Sequence, residues 1–423
     1  HRYKLAANIG TQLIEIGVKA VIVAGWAVDD EAALDFTASF YDDMFEGYNF
    51  GESVKRARKK VYTSYGDRTN TWGAYQCYGD PFYSLQTKRK TTTKVYDFII
   101  PEEAEIELSN MLNRIDIGEY FSGEIQETIQ AISKAVDIAG VRTPEIDTLE
   151  AYLYAALNRY DLACSVFERL IGPGKAGYHV QAMEKYCNVR PKFILEQYRK
   201  VPEQSASLLQ QLEDVLEDLK ALQRYGQTTE RWKLLGSAYK RKAMMLQGDD
   251  KFKALKDAAS AYLKAFDLSG NGDRFYSLIN WAAIANALVV SGHESWGANG
   301  FMGKTKNNVL KFLTDDIDEF KSKIQQSDDM DYWQLVAMAN LKFCQAQIQQ
   351  SKDDLEEIYA AYRNVWHYAG HIGNRQAELE HLDFLSDILN IQEKDMKPAD
   401  IKKLEQLRNV VETVKINLEG MKQ

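Results

Sequence analysis

Proline and paired cysteine are both scarce in this chain of 423 residues. With only seven prolines, helices can run for long stretches, because proline removes a backbone N–H and clashes with the preceding turn. The four cysteines, Cys77, Cys164, Cys187 and Cys344, lack the spacing of a disulfide framework or a metal site. The sequence therefore predicts a cytoplasmic protein with reduced thiols, no bound metal and no cofactor.

Long apolar runs are also missing. No stretch approaches the roughly 18 residues that a membrane-spanning helix needs, and the N-terminal residues do not form a signal peptide. The net charge of −9 is opposite in sign to what a broad nucleic-acid surface requires. The sequence has no P-loop, no G-x-G-x-x-G and no nucleophile elbow. We therefore expect no membrane partner and no nucleic-acid partner.

Two apolar stretches near the start of the chain predict a small sheet. The first, Ala20-Val-Ile-Val-Ala-Gly-Trp-Ala-Val-Asp-Asp30, is typical of a strand buried on both faces that ends in a loop. Either Asp29 or Asp30 is expected to cap the helix that follows. The second stretch, Thr71–Pro81, predicts a last strand that ends at Gly-Asp-Pro.

Together with the residues between them, these stretches resemble the C-terminal half of a CHAT domain, a caspase-like cysteine peptidase family. The residues that carry the resemblance are Gly17–Trp26, Val28, Asp29, Ala32, Ala33, Phe36, Phe40, Tyr41, Gly47, Phe50, Gly51, Ala57, Arg58, Trp72–Tyr75 and Tyr78–Pro81. The resemblance implies an α/β caspase-like partial sheet, which we assign to residues 1–88.

The resemblance also implies a site. In the caspase-like fold, the strand after the catalytic cysteine forms one wall of the substrate groove, where an extended peptide can pair its backbone with an exposed edge. The positions that match this wall are Ala24, Gly25, Trp26, Ala27, Val28 and Asp29. A negative charge at Asp29 would favour a basic or neutral residue on the N-terminal side of the cut. The alternative is that Trp26 belongs to the core and the aspartates only cap a helix.

The catalytic His and Cys of the family precede the strand at Ala20, so we expect them in a segment upstream of His1. A start at His1 fits a small subunit released by proteolytic processing, or one polypeptide divided by a disordered segment. Cys77 lies in the middle of a strand among aromatic residues, where a buried thiol lacks the partners that lower its pKa. We therefore do not expect Cys77 to be the nucleophile.

The rest of the chain predicts an α-solenoid. We place the domain boundary in the basic, threonine-rich segment 86–94 and assign residues 95–423 to a TPR-like helical domain, possibly divided near 200–228. The stretch Trp232–Tyr239 matches the tetratricopeptide pattern W-x2-L-G-x2-Y. The residues expected to pack one repeat are Trp232, Leu235, Gly236 and Tyr239 from its first helix, and Ala258, Tyr262 and Ala265 from its second. The second group comes late for a standard repeat, which predicts a long first helix or an enlarged turn at Gln247–Asp250.

Two further features have more than one interpretation. His367 and His371 have the spacing of helical zinc ligands, but Gly370 and Gly373 predict that the helix ends there. We therefore expect no zinc site. The glycine-rich segment Gly292–Gly303 is expected to expose Trp296, Phe301 and Met302, either as a partner contact or as an unstructured insertion.

The sequence therefore predicts part of a CHAT-family cysteine endopeptidase joined to a TPR-like array that binds a regulatory protein. The expected partners are the upstream segment with the His–Cys dyad, a protein substrate and that regulator. The family resemblance implies a role in prokaryotic antiviral defence or programmed cell death. Two alternatives remain. One is a catalytically inactive scaffold, and the other is a solenoid adaptor with an unrelated α/β cap.

Overall fold

The computed structural model describes residues 11–14, 18–85, 96–116, 122–171, 179–270, 274–326, 332–349, 355–368, 372–390 and 396–420. These residues form an N-terminal α/β unit before residue 95 and a larger helical unit that begins at Tyr96. The segment predicted to hold the domain boundary, 86–94, lies outside the described residues, and the division near 200–228 stays a prediction. Residues 11–14 are helical.

The N-terminal unit contains two short strands separated by helices. Its elements are β1 (Ala20–Ala24), α1 (Asp30–Phe45), α2 (Phe50–Tyr65), a 3-10 turn (Gly66–Arg68), the one-turn α3 (Thr71–Ala74) and β2 (Tyr75–Gly79). The strands pair antiparallel, with Ala20 opposite Gly79 and Ala24 opposite Tyr75. The predicted order of strand, helices and last strand is therefore confirmed.

One face of this sheet carries the core of the unit. Ala20 and Ile22 of β1, with Tyr75 and Cys77 of β2, pack against a cluster of buried side chains. That cluster consists of Ala32, Phe36, Phe40, Met44, Phe50, Val54, Ala57 and Val61 from α1 and α2. Successive side chains of a strand point to opposite faces, so this cluster covers only every second residue of β1. The residues of β1 are half-buried or exposed, and the prediction of a strand buried on both faces is wrong for this reason.

Side-chain caps start both helices of this unit. Asp29 accepts a hydrogen bond from the backbone N–H of Ala32, and Asn49 accepts one from Glu52. Each cap satisfies a backbone donor that the first turn of a helix leaves unpaired. The prediction that Asp29 or Asp30 caps the helix is confirmed, with Asp29 as the cap.

The helical unit begins with α4 (Pro101–Asp116), and the described residues directly before it, 96–100, form no helix or strand. Its helices in order are α4, α5 (Ser122–Ala139), α6 (Pro144–Ala156), α7 (Tyr160–Ile171), α8 (Val180–Lys200), α9 (Ser205–Tyr225), α10 (Thr229–Met245), α11 (Gly248–Leu268), α12 (Phe275–Val290), α13 (Lys306–Gln326), α14 (Tyr332–Gln349), α15 (Leu355–Tyr368), α16 (Ile372–Leu389) and α17 (Pro398–Gly420). The predicted fold class, a small sheet followed by a mostly helical region, is therefore confirmed.

The pair α10 and α11 contains the tetratricopeptide pattern. Only Leu246 and Gln247 separate the two helices, so a long first helix, rather than an enlarged turn, accounts for the late second half. A methyl group added at Gly236 would lie 3.0 Å from three ring carbons of Tyr262. The pattern residues Trp232, Leu235, Ala258, Tyr262 and Ala265 are buried, and Tyr239 is half-buried.

The helical array returns on itself. Helix α16 packs against α10 and α12, which lie far earlier in the chain. Arg199 of α8 donates a hydrogen bond to Asp387 of α16 over 2.7 Å. Lys251 of α11 donates to the backbone oxygens of Asp387 and Asn390 over 2.7 and 3.2 Å. In an open solenoid each repeat contacts only its neighbours, so these contacts close the array.

In the glycine-rich segment 292–303, the prediction that Trp296, Phe301 and Met302 are exposed is wrong for the two aromatic residues. Phe301 is buried and stacks on Trp281, while Trp296 is half-buried with its ring edge to Trp281. Met302 is exposed as predicted. The segment therefore packs on α12 through two aromatic contacts.

We expect Gly236→Leu to lower the free energy of unfolding of the helical unit by about 1–3 kcal/mol, because the new side chain must displace the Tyr262 ring. Ser260→Leu at an exposed position of α11 is the control, and its effect should stay within about 0.5 kcal/mol. Thermal unfolding, with hydrogen exchange in α10 and α11, measures both. Equal effects of the two variants would contradict this role of Gly236.

Candidate functional site

The stretch Gly25–Asp29 connects β1 to α1 and is fixed at both ends. At one end the N–H of Gly25 donates to the backbone oxygen of Ala74 over 2.8 Å, which extends the pairing of the strands. A side chain at Gly25 would approach the amide of Gln76 to 3.0 Å, so the close approach favours glycine. At the other end the N–H of Asp29 donates to Oγ1 of Thr71 over 2.9 Å.

Thr71 is the anchor for this stretch. Its side chain is fully buried, and its Oγ1 also lies 2.7 Å from Oγ1 of Thr69. The N–H of Thr71 donates to the same Thr69 oxygen over 3.2 Å. One hydroxyl group therefore joins the loop after β1 to the short helix before β2. Nothing in the sequence pattern identified these two threonines.

The middle of the stretch is open to solvent. The Trp26 side chain is 43% exposed and its ring lies against Gly73, where an added methyl group would be 3.7 Å away. Ala27 is exposed and Val28 is half-buried. Within the described residues, the backbone of Trp26, Ala27 and Val28 makes no hydrogen bond. A bound peptide could therefore pair with this backbone while its side chains contact the indole ring.

Of the six consecutive residues predicted to form the wall, Ala24, Trp26, Ala27 and Asp29 are exposed, Val28 is half-buried and Gly25 is buried. Trp26 is not part of the core, so that half of the alternative interpretation is wrong. The other half, that Asp29 caps a helix, is correct. Its charge is nevertheless exposed beside Asp30 and Glu31, which gives this end of the unit a negative surface.

Cys77 is not placed as a nucleophile. Its side chain packs against the core cluster of α1 and α2, and burial raises the pKa of its thiol. Arg58, whose Nη2 lies 3.9 Å from the sulfur, only partly offsets this rise. A thiol with a raised pKa holds little of the thiolate that attacks carbonyl groups.

No group of His, Cys, Asp or Glu that could bind a metal ion occurs among the described residues. His371 lies outside them, and the side chain of His367 is not described. In the same part of the chain, no helix is long and apolar enough to span a membrane.

Comparison with known proteins agrees with this division of the chain. Residues 4–80 match the model of the CHAT domain, and residues 159–285 match the Tetratricopeptide Repeats-Sensor model, TPR-S. The chain carries part of a CHAT domain followed by TPR-Sensor repeats. CHAT domains belong to the caspase-like peptidase family. No curated protein and no solved structure gave a significant match.

The two matches cover distinct parts of the structure. The CHAT match ends at Asp80, directly after β2, and includes the stretch Gly25–Asp29. The TPR-S match extends from the start of α7 into α12 and includes the pair α10 and α11. The helices on either side of the match continue the array.

Thr71→Val removes the hydroxyl group that accepts the Asp29 N–H while keeping the shape of the side chain. We expect this change to lower the stability of the N-terminal unit by about 1–3 kcal/mol, since a donor loses its partner. Hydrogen exchange should also become faster at Asp29 and in the preceding loop. The control is Thr63→Val on the exposed surface of α2. Unchanged exchange at Asp29 in Thr71→Val would contradict the anchoring role.

Proposed function

We propose that the N-terminal unit forms one wall of the substrate groove of a caspase-like cysteine endopeptidase. The observation that carries this proposal is the stretch Gly25–Asp29, which is held at both ends and leaves backbone and indole surface exposed between them. Such a stretch can bind an extended peptide through its main chain without first becoming ordered, so little conformational entropy is lost on binding. The CHAT match over residues 4–80 supports the peptidase class.

The attacking group must come from another segment. Residues 4–80 contain a single cysteine, Cys77, and no histidine, so a His–Cys dyad cannot come from the matched part. We place the dyad on a CHAT segment upstream of His1. There a thiolate would attack the peptide carbonyl, and an imidazole would take up the proton and return it to the leaving amine.

The helical unit has a regulatory role in this proposal. It presents an array of helix pairs to a partner protein, and the matched repeat family is named for a sensor role. The substrate would be a protein. The family resemblance alone supports an extension of the proposal to prokaryotic antiviral defence.

Asp29→Asn tests the charge of the wall without disturbing its backbone. An asparagine at this position can still cap α1 through its amide oxygen, so the fold should be unchanged. For the complete protease, we expect kcat/KM for peptides with Lys or Arg before the cut to fall about 2- to 5-fold. Hydrolysis of neutral peptides should be unaffected. Asp42→Asn, at the other end of α1, is the control, and equal kinetics in Asp29→Asn and wild type would refute a selective role.

Trp26→Ala tests whether the stretch Gly25–Asp29 forms one wall of the substrate groove. We expect the loss of the exposed indole ring to lower kcat/KM about 10-fold or more for every peptide, as for the large aromatic residues that dominate peptide interfaces. Tyr41→Ala, which removes an exposed ring from α1, should leave peptide hydrolysis unchanged. A complete protein that hydrolyses no peptide would instead favour the inactive scaffold.

A further inference from the structure

The closed helical array surrounds a cavity of about 630 Å³. Its described lining comes from α8, α10, α12, α14 and α16, which are the first helices of five successive helix pairs. Because α16 returns to α10, the cavity lies between these helices and is partly open to solvent. A volume of this size suits a small organic molecule.

Three cationic side chains converge on this cavity. Lys240 is only 9% exposed; its amine donates to Oδ1 of Asn280 over 3.1 Å and lies 4.2 Å from the centre of the Phe384 ring. Lys192 donates to the hydroxyl of Tyr160 over 3.4 Å. The third is Arg241, which is equally buried.

These cations lack close acidic partners. Among the described residues, no carboxylate oxygen lies within 4.0 Å of the amine of Lys192 or Lys240. The guanidinium of Arg241 donates to Ser237 and comes only to 3.9 Å from Glu380. A buried positive charge is costly unless it is paired, so the cavity presents positive charge that the described residues do not neutralise at close range.

Half-buried Arg142 and buried Arg231 have close carboxylate partners, whereas the amine of buried Lys251 donates to backbone oxygens. Arg142 lies 2.8 Å from Asp147 and 2.9 Å from Glu150, and Arg231 lies 2.7 Å from Glu184. Carboxylates therefore neutralise some of the positive charge inside this unit. The amines of Lys192 and Lys240, which have no carboxylate within 4.0 Å among the described residues, line the cavity.

The pKa values of the side chains that line the cavity are shifted in the directions that burial predicts. Burial, with a further contribution from Arg241, lowers the pKa of Lys240 to about 7 and that of Lys192 to about 8. Burial raises the pKa of Glu378 to about 7, against the opposing hydrogen bond from Asn340. Burial, and after it the charge of Lys240, lowers the pKa of His381 to about 3, so this histidine is neutral.

Apolar surface completes the lining. Leu234, Phe275, Ile279 and Val336 contribute side chains to the cavity wall. Amide groups of Asn280 and Asn340 lie between this surface and the charged groups. Glu230, Glu378 and Glu380 also line the cavity, so it combines cations, carboxylates and amides with an apolar wall. Lysine and arginine side chains in such a site can bind the charged group of a small organic molecule.

We propose that this cavity binds a small organic polyanion, such as a phosphate ester, whose charged group lies among Lys192, Lys240 and Arg241. Its organic part contacts Phe275, Ile279 and Val336. Lysine and arginine both donate charge-assisted hydrogen bonds to phosphate and carboxylate oxygens. A single carboxylate would leave part of the positive charge without a partner, whereas a polyanion can contact all three cations. This site is independent of peptidase activity.

Isothermal titration calorimetry of the full chain in phosphate-free buffer tests the proposal with three probes, which are inorganic pyrophosphate, AMP and citrate. We expect saturable one-to-one binding and a higher thermal unfolding temperature with at least one probe. Binding of pyrophosphate or AMP assigns the site to phosphate compounds, and binding of citrate alone assigns it to polycarboxylates. No binding of any probe at about 1 mM would overturn the proposal.

Paired variants separate this site from general surface charge. Lys240→Met should reduce the affinity about 10- to 100-fold, which corresponds to the loss of a charge-assisted hydrogen bond. Lys253→Met, which removes an exposed lysine on α11, is the control and should bind as the wild type does. Glu378→Gln should bind more tightly than the wild type at pH 8, since it removes a negative charge from the cavity. Equal losses in Lys240→Met and Lys253→Met would refute the site.

The affinity should also fall as the pH rises from about 7.5 to 9, a range over which AMP and citrate keep a constant charge. Deprotonation of Lys240 and Lys192 removes positive charge, and ionisation of Glu378 adds negative charge, so all three changes oppose anion binding. The titratable groups that line the cavity are Lys192, Lys233, Lys240, Arg241, Glu230, Glu378, Glu380, His381 and Tyr276. Tyr160 contacts Lys192, and the charges of Lys185 and Glu196 also act on it. An affinity that does not change over this range, measured with whichever of AMP and citrate binds, would contradict the assignment.

Discussion

The closure of the helical array is the constraint on which the structure of its interior depends. Arg199 and Asp387 join α8 to α16, and Lys251 of α11 satisfies two carbonyl oxygens at the end of α16. A helix that ends near a lysine gains from the positive charge, because its last carbonyl groups are unpaired and carry the negative end of the helix dipole. Were α16 displaced, the side chains that line the cavity would face open solvent, where buried amines and lowered pKa values could not persist.

Close helix packing is the second requirement for that interior. Gly236 lets Tyr262 lie directly against the backbone of α10, and the two-residue turn after α10 keeps the pair antiparallel. Lys240 and Arg241 follow Gly236 by about one helical turn, so the pattern that packs a repeat also sets the position of the cavity cations. Helix α10 therefore carries both the glycine that packs the repeat and two of the cations that line the cavity.

In the N-terminal unit, the stretch between β1 and α1 is held at both ends but is exposed to solvent in its middle. Thr71 and Ala74 hold the two ends of the stretch Gly25–Asp29, while the residues between them keep their backbone unpaired. Exposed and unpaired backbone of this kind can pair with another chain. The proposed peptide-binding wall depends on this backbone and on the exposed tryptophan beside it.

Much of the fold could be predicted from the sequence, because helices and strands follow from local periodicity. The pattern Trp232–Tyr239, the cap at Asp29 and the strand at Ala20 are all local signals. The closure could not be predicted, since contacts such as Lys240 with Phe384 depend on small rotations that accumulate from one helix pair to the next. The burial of Phe301 was missed because its partner, Trp281, lies in a separate helix. Thr71 was missed because its role depends on a loop that is distant in the chain.

The most direct test of the central claim is an experimentally determined structure of the full chain with pyrophosphate at saturating concentration. The account predicts a closed array, with α16 against α10 and the anion bound within hydrogen-bond distance of Lys192, Lys240 and Arg241. An open array, or a closed array whose cavity holds no anion while the amines of both lysines contact carboxylates, would contradict it.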